Sequence, residues 1–213
     1  MMVTHTKICG IKSPETLDVA VDFGARFIGF VFYPPSPRHV QIDIAKELSL
    51  MLPTGVRGVG LFVDPTDEQL EKVLGKVQLD MIQLHGHETP ERVQEIKDRY
   101  MMPIIKAFPV RDAKDILHVE KYGSVADWYL FDAKSSDPDM PGGTGHSFDW
   151  SLLRDHSFDK PWMLSGGLTA DNVEQALNVL SPSAIDISSG VESVRGVKDN
   201  AKIEGFLTIM KDA

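Results

Sequence analysis

Short apolar runs recur along the whole chain, each followed by a stretch of helical period or by turn-forming residues, and this alternation leaves few folds open. Regular β/α alternation calls for parallel strands joined by helical crossovers rather than for a sandwich or a bundle. Eight such units can be counted. The expected strands are Thr4–Cys9, Phe27–Phe32, Gly58–Val63, Met81–Leu84, Ile104–Phe108, Trp128–Asp132, Trp162–Leu164 and Ala184–Ile187. Helical period is clearest in Val173, Ala176, Leu177 and Leu180, and in Ile203, Phe206, Leu207 and Met210, spaced to bury one stripe against the strands. Ser13 before Pro14, Thr89 before Pro90, and Thr169 three residues ahead of Asn172 mark helix starts. The fold class expected is α/β, a (β/α)8 TIM barrel filling residues 1–213 as one domain, at the small end for that architecture.

Chemistry in such a barrel belongs at the C-terminal ends of the strands. Two glycine-bearing segments, Ser165-Gly166-Gly167-Leu168 and Ser188-Ser189-Gly190-Val191, follow the seventh and eighth runs and precede helix-like stretches. Either alone reads as an ordinary turn. As a pair on adjacent strands they predict a phosphate grip, because glycine lets backbone amides approach an anion closely. At the first exit, strand alternation puts Lys7 and Cys9 on one face. An ammonium neighbour lowers a thiol pKa, which suits a proton acceptor or nucleophile; the alternative is a buried structural cysteine. At the second exit three prolines stiffen the loop that carries Arg38, a side chain suited to pairing with a carboxylate, or else a solvated surface arginine. Asp64 before Pro65 reads as a turn and helix start. Gln83 and His85 share the inward face of the fourth strand, and Lys106 on the fifth is a polar lining or an ion-pair partner. Asp132 ends an apolar strand, where a carboxylate needs a role or a partner, and a general acid is one such role. The glycine-rich loop after it, through Gly142, Gly143 and Gly145, is long enough to act as a lid.

Taken together these segments resemble the phosphoribosylanthranilate isomerase family of tryptophan biosynthesis. The likeness is carried by Lys7-Ile8-Cys9-Gly10, Ser36-Pro37-Arg38, Gln83-Leu84-His85-Gly86, Asp132-Ala133, Gly142-Gly143-Thr144-Gly145, Ser165-Gly166-Gly167-Leu168 and Asp186-Ile187-Ser188-Ser189-Gly190. Ser165, where the family often has alanine, and His146 depart from the pattern. The resemblance implies an Amadori rearrangement that uses neither cofactor nor metal. It implies that Cys9 is the general base and Asp132 the general acid. It also implies that Arg38 holds the anthranilate carboxylate, that Gly166, Gly167, Ser189 and Gly190 hold the phosphate, that Asp186 lines that end of the pocket, and that His85 sits at its mouth. The related sugar isomerase of histidine biosynthesis uses an aspartate where Cys9 stands and grips a second phosphate after strand three, where no Gly-Gly turn occurs here. A barrel that binds a phosphorylated ligand without chemistry is the rival of another class.

Composition bounds the partners. A net charge of −9 with dispersed basic residues argues against nucleic acid or an anionic membrane surface, and leaves a small phosphorylated substrate held by local groups. The lone Cys9 forms no intramolecular disulfide, and there is neither a leader pattern nor a long uncharged apolar run. A cytoplasmic monomer or homodimer is the expectation.

Overall fold

In the computed structural model, which describes residues 4–133 and 149–212, the eight apolar runs are parallel strands closed on themselves. The first half of the chain runs β1 (His5–Cys9), α1 (Pro14–Asp22), β2 (Phe27–Val31), α2 (Ile42–Leu50), β3 (Arg57–Phe62), α3 (Asp67–Leu74), β4 (Met81–Leu84) and α4 (Pro90–Tyr100). The second runs β5 (Ile104–Val110), α5 (Ala113–Ile116), β6 (Trp128–Ala133), α6 (Ser151–Arg154), β7 (Trp162–Leu164), α7 (Val173–Val179) and β8 (Ala184–Ile187). A short antiparallel hairpin, β9 (Glu192–Val194) and β10 (Val197–Lys198), then precedes α8 (Asn200–Asp212). Each strand pairs with the next in sequence, and β8 returns to β1 with Lys7 opposite Asp186, so no barrel edge is left unpaired. The observed strands match the expected ones to within two residues at each end.

Local chemistry accounts for most helix starts. Ser13 accepts from the Thr16 amide and Thr89 from the Arg92 amide, each ahead of a proline that has no N–H to satisfy. Two expected starts are displaced. Asp64 is a turn residue in the left-handed region, with φ of 44°, and the third helix is capped by Thr66, which forms a reciprocal capping box with Gln69. Thr169 does not cap α7 either. Its amide donates to Asn172 Oδ1, and Asn172 occupies the N-cap position. Four residues that read as helix are thus a turn after β7, and Asn172 ties it down by donating to Gly167 O.

Two apolar layers hold the barrel. Val173, Ala176 and Leu180, together with Ile203, Phe206 and Leu207, are buried between helices and strands, as the helical stripes require. A second core, made of Phe27, Val59, Met81, Ile105, Ala107, Leu130, Met163 and Ala184, is formed by the strand positions that alternate with the outer set, and fills the interior. Two residues further along four of these strands, the inward positions change character. Met81 gives way to Gln83, Leu130 to Asp132, Met163 to Ser165 and Ala184 to Asp186. The plug of the barrel is therefore apolar and the floor above it polar.

Candidate active site

The polar floor opens into a cleft, partly open to solvent, at the C-terminal ends of the strands. Cys9, Arg38, His85, Asp132, Gly166, Gly167, Asp186 and Ser189 all line it, although they come from six different strand exits. Gly190 follows Ser189 and packs its Cα against the neighbouring turn. A Cβ on Gly190 would stand 2.0 Å from Leu168 O, so the contact between the two phosphate-type turns admits no side chain. Gly166 is held at φ of 90°, and a Cβ there would meet the Ala133 amide nitrogen at 2.4 Å. Among the described residues, none of the Gly166, Gly167, Ser189 and Gly190 amides donates to a protein acceptor. That is the arrangement expected of a site that receives an anion.

Cys9 closes β1 with its side chain toward this cleft, 4% exposed. Its thiol pKa is raised above the usual value, which reverses the expectation drawn from Lys7 alone. Burial is the largest influence and disfavours the thiolate; Lys7 and Lys198 pull the other way, and Asp186 adds to burial. The ammonium of Lys7 is itself fully buried and engaged with Asp186 Oδ1 at 2.8 Å. Burial works against its charge, yet Asp186 and Cys9 outweigh burial and its pKa is raised. The charge beside the thiol is thus permanent but already shared. Asp186 Oδ2 also accepts from Ser165 Oγ at 3.3 Å, so this carboxylate is an organiser of the floor as well as part of the cleft lining.

Asp132 faces the cleft from the other side and is 4% exposed. Its Oδ2 lies 3.2 Å from His85 Nε2, and His85 Nδ1 lies 3.0 Å from Gln83 Nε2. The imidazole therefore bridges Gln83 and Asp132, one ring nitrogen toward each. His85 thus contacts the Asp132 carboxyl from the exit of the fourth strand. The turn that carries His85 is fixed from outside the barrel by Lys106. Its Nζ donates to Gly86 O and Glu88 Oε2, both at 2.9 Å, while Glu88 accepts from the Asp64 and Gly86 amides. Of the two readings for Lys106, the ion pair holds and the cleft lining does not.

Arg38 is 6% exposed, which removes the reading of a solvated surface arginine. It does pair with a carboxylate, but one belonging to the chain: Nε and Nη2 donate to the two oxygens of Glu192 at 2.7 and 2.9 Å. Burial works against the charge of Glu192, but Arg38, Lys198 and the Gly196 amide together hold its pKa down to about 2. Glu192 and Lys198 belong to the hairpin β9–β10, which stands where a helix was expected directly after the second glycine turn. Gly196 flanked by Val194 and Val197 is the sequence signal that marks a hairpin there. Among the described residues no cluster of three or more His, Cys, Asp or Glu could hold a metal ion, and no helix is long and apolar enough to cross a membrane. The lid glycines Gly142, Gly143 and Gly145 lie outside the described residues.

The family model described as N-(5'phosphoribosyl)anthranilate (PRA) isomerase matches residues 6–208. The chain belongs to this isomerase family. An N-(5'-phosphoribosyl)anthranilate isomerase of Paramagnetospirillum magneticum is 50% identical over 207 residues, covering 97% of this chain and 96% of its own. The phosphoribosyl anthranilate isomerase of Thermotoga maritima superposes with a TM-score of 0.87 at 38% identity, over 99% of this chain and 100% of its own. A further phosphoribosyl anthranilate isomerase, solved in complex with reduced 1-(o-carboxyphenylamino)-1-deoxyribulose 5-phosphate, gives a TM-score of 0.84 at 36% identity and the same coverage. As a member of the N-(5'-phosphoribosyl)anthranilate isomerase family, the chain is an intramolecular oxidoreductase of tryptophan biosynthesis.

Proposed function

We propose that this chain converts N-(5-phosphoribosyl)anthranilate to 1-(2-carboxyphenylamino)-1-deoxyribulose 5-phosphate, with Asp132 as general acid and Cys9 as general base. Asp132 donates its proton to the furanose ring oxygen. The bond from that oxygen to the first sugar carbon breaks, and the anthranilate nitrogen lone pair closes a protonated Schiff base. The Cys9 thiolate then takes the proton from the second carbon, and the released electron pair neutralises the iminium to give an enolamine, which tautomerises to the aminoketose. Because the resting thiol is mostly protonated at neutral pH, only a minor fraction of free enzyme carries the base, and Lys7 and Lys198 are what sustain that fraction.

The observation that carries this reading is a single cleft lined by Cys9 and Asp132, with Arg38 and the amide-rich turns Gly166-Gly167 and Ser188-Ser189 also in its wall. Arg38 would hold the anthranilate carboxylate and the turns the phosphate, fixing the reacting carbons between acid and base. The same reading puts the enzyme in the cytoplasm, acting as a monomer or homodimer on this small phosphorylated substrate. Expression in a tryptophan auxotroph lacking the isomerase step is the test. Growth without tryptophan is expected, whereas no growth despite folded protein at normal levels would instead favour a barrel that binds its ligand without chemistry.

A further inference from the structure

A buried polar cluster runs from Arg38 in the cleft wall into the β9–β10 hairpin. Glu192 accepts from Arg38 through two hydrogen bonds, from the Gly196 amide at 2.9 Å and from Lys198 Nζ at 3.0 Å. Lys198 continues to Ser188 O at 2.8 Å and Ser188 Oγ at 3.1 Å, and Ser188 Oγ donates to Cys9 O at 3.0 Å. One run of hydrogen bonds therefore joins the Arg38 loop, the β9–β10 hairpin, the second glycine turn and the backbone of the thiol residue. Sterics lock the same contact: Gly196 has φ of 84°, and a Cβ there would stand 2.7 Å from Pro37 O.

Among the described residues, two cations meet one carboxylate in this cluster. Lys198, its side chain 4% exposed, adds a positive charge shielded from solvent and directly behind the turn. Charge in such a setting is weakly screened and acts over a longer range than at the surface. Its cost is visible in Lys198 itself, whose pKa burial pushes down even though Glu192 opposes the change.

We propose that Lys198 is a substrate-positioning residue: it ties the carboxylate anchor on Arg38 to the phosphate turn at Ser188-Ser189, and places a buried positive charge behind that turn that favours an anion there. The proposal rests on the anchor assignments made above. It gives opposite signs for the two partners in the hairpin. Removing Lys198 takes a positive charge from behind the turn, whereas Glu192→Gln takes a negative one.

Inorganic phosphate is titrated calorimetrically into wild type, Lys198→Met, Lys198→Arg and Glu192→Gln, and kcat and KM are measured for each. Lys198→Met should weaken phosphate binding on the order of tenfold and raise KM by more than kcat falls. Lys198→Arg should recover most of the loss, and Glu192→Gln should bind phosphate more tightly than wild type. Wild-type phosphate affinity in Lys198→Met, or weakened binding in Glu192→Gln, would overturn the proposal in favour of a purely structural hairpin. If Lys198→Met does not fold, the sign of the Glu192→Gln change decides alone. No phosphate binding to the wild type also overturns it. Arg38→Met separates the two layers of argument: an unchanged KM removes the carboxylate assignment, while the phosphate titrations still decide the role of Lys198.

Discussion

Glu192→Gln is the substitution whose energetic consequence follows most directly from the structure. The side chain is buried, and its oxygens accept from Arg38, Lys198 and the Gly196 amide. A carboxyl held at about 2 instead of 4.5 stabilises the folded state by roughly 3 kcal/mol, at about 1.4 kcal/mol per pH unit. Because the folded value lies below the unfolded one, the contribution is complete above about pH 4.5 and is lost as the pH falls toward 2. A glutamine at this position would imitate the protonated form in shape and hydrogen bonding. Urea denaturation of both proteins at a series of pH values should give a gap of roughly 3 kcal/mol at pH 7 that shrinks to less than half by about pH 3. Every other carboxyl is common to the two chains and cancels in the difference. A gap that stays constant with pH, or that is absent at pH 7, would refute the assignment of this stability to the charge of Glu192.

Three further outcomes follow from the same geometry. Glu88→Gln leaves the Lys106 ammonium buried with only carbonyl partners, so urea denaturation should register a loss of about 3–5 kcal/mol; a loss below ~1 kcal/mol contradicts the role given to that pair. Gly190→Ala must drive the two glycine turns apart, because its Cβ would stand 2.0 Å from Leu168 O. Inhibition by inorganic phosphate should weaken on the order of tenfold, and an unchanged inhibition constant would mean that the turns do not form the grip. Since burial raises the Cys9 thiol pKa above 9.0 and the base acts deprotonated, kcat/KM should keep rising with pH through neutrality. A plateau reached below pH 7 would exclude this thiol as the base of the free enzyme.

Local patterns carried a large share of the architecture. Strand runs, proline-preceded caps and the two helical stripes depend on near neighbours in sequence, and the structure has them at or close to the expected positions. The lining residues Cys9, Arg38, His85, Asp132 and Asp186 could be read because a barrel confines its chemistry to strand exits. Where the reading failed, the deciding contact was long-range in most cases. The Cys9 pKa turns on burial, which no neighbour in sequence reports, so the lowering by Lys7 is present but outweighed. Glu192 is 154 residues from Arg38, and nothing local marks it as the partner. Thr169 lost its cap to a nearer competitor, Asn172, three residues away, which also secures Gly167 O. The polar step from Met81 to Gln83, Leu130 to Asp132, Met163 to Ser165 and Ala184 to Asp186 was legible in principle, since all four follow from strand period.

Cys9 and Asp132 are expected to perform the chemistry without being needed to bind the substrate. Single-turnover rates of Cys9→Ala and Asp132→Asn, measured together with their affinity for reduced 1-(o-carboxyphenylamino)-1-deoxyribulose 5-phosphate, test that most directly. The predicted result is turnover slowed at least about a thousandfold, on the order expected for loss of an acid or base, with analogue affinity within about threefold of wild type. Near-normal turnover in either variant, or a loss of turnover matched by an equal loss of binding, would contradict it.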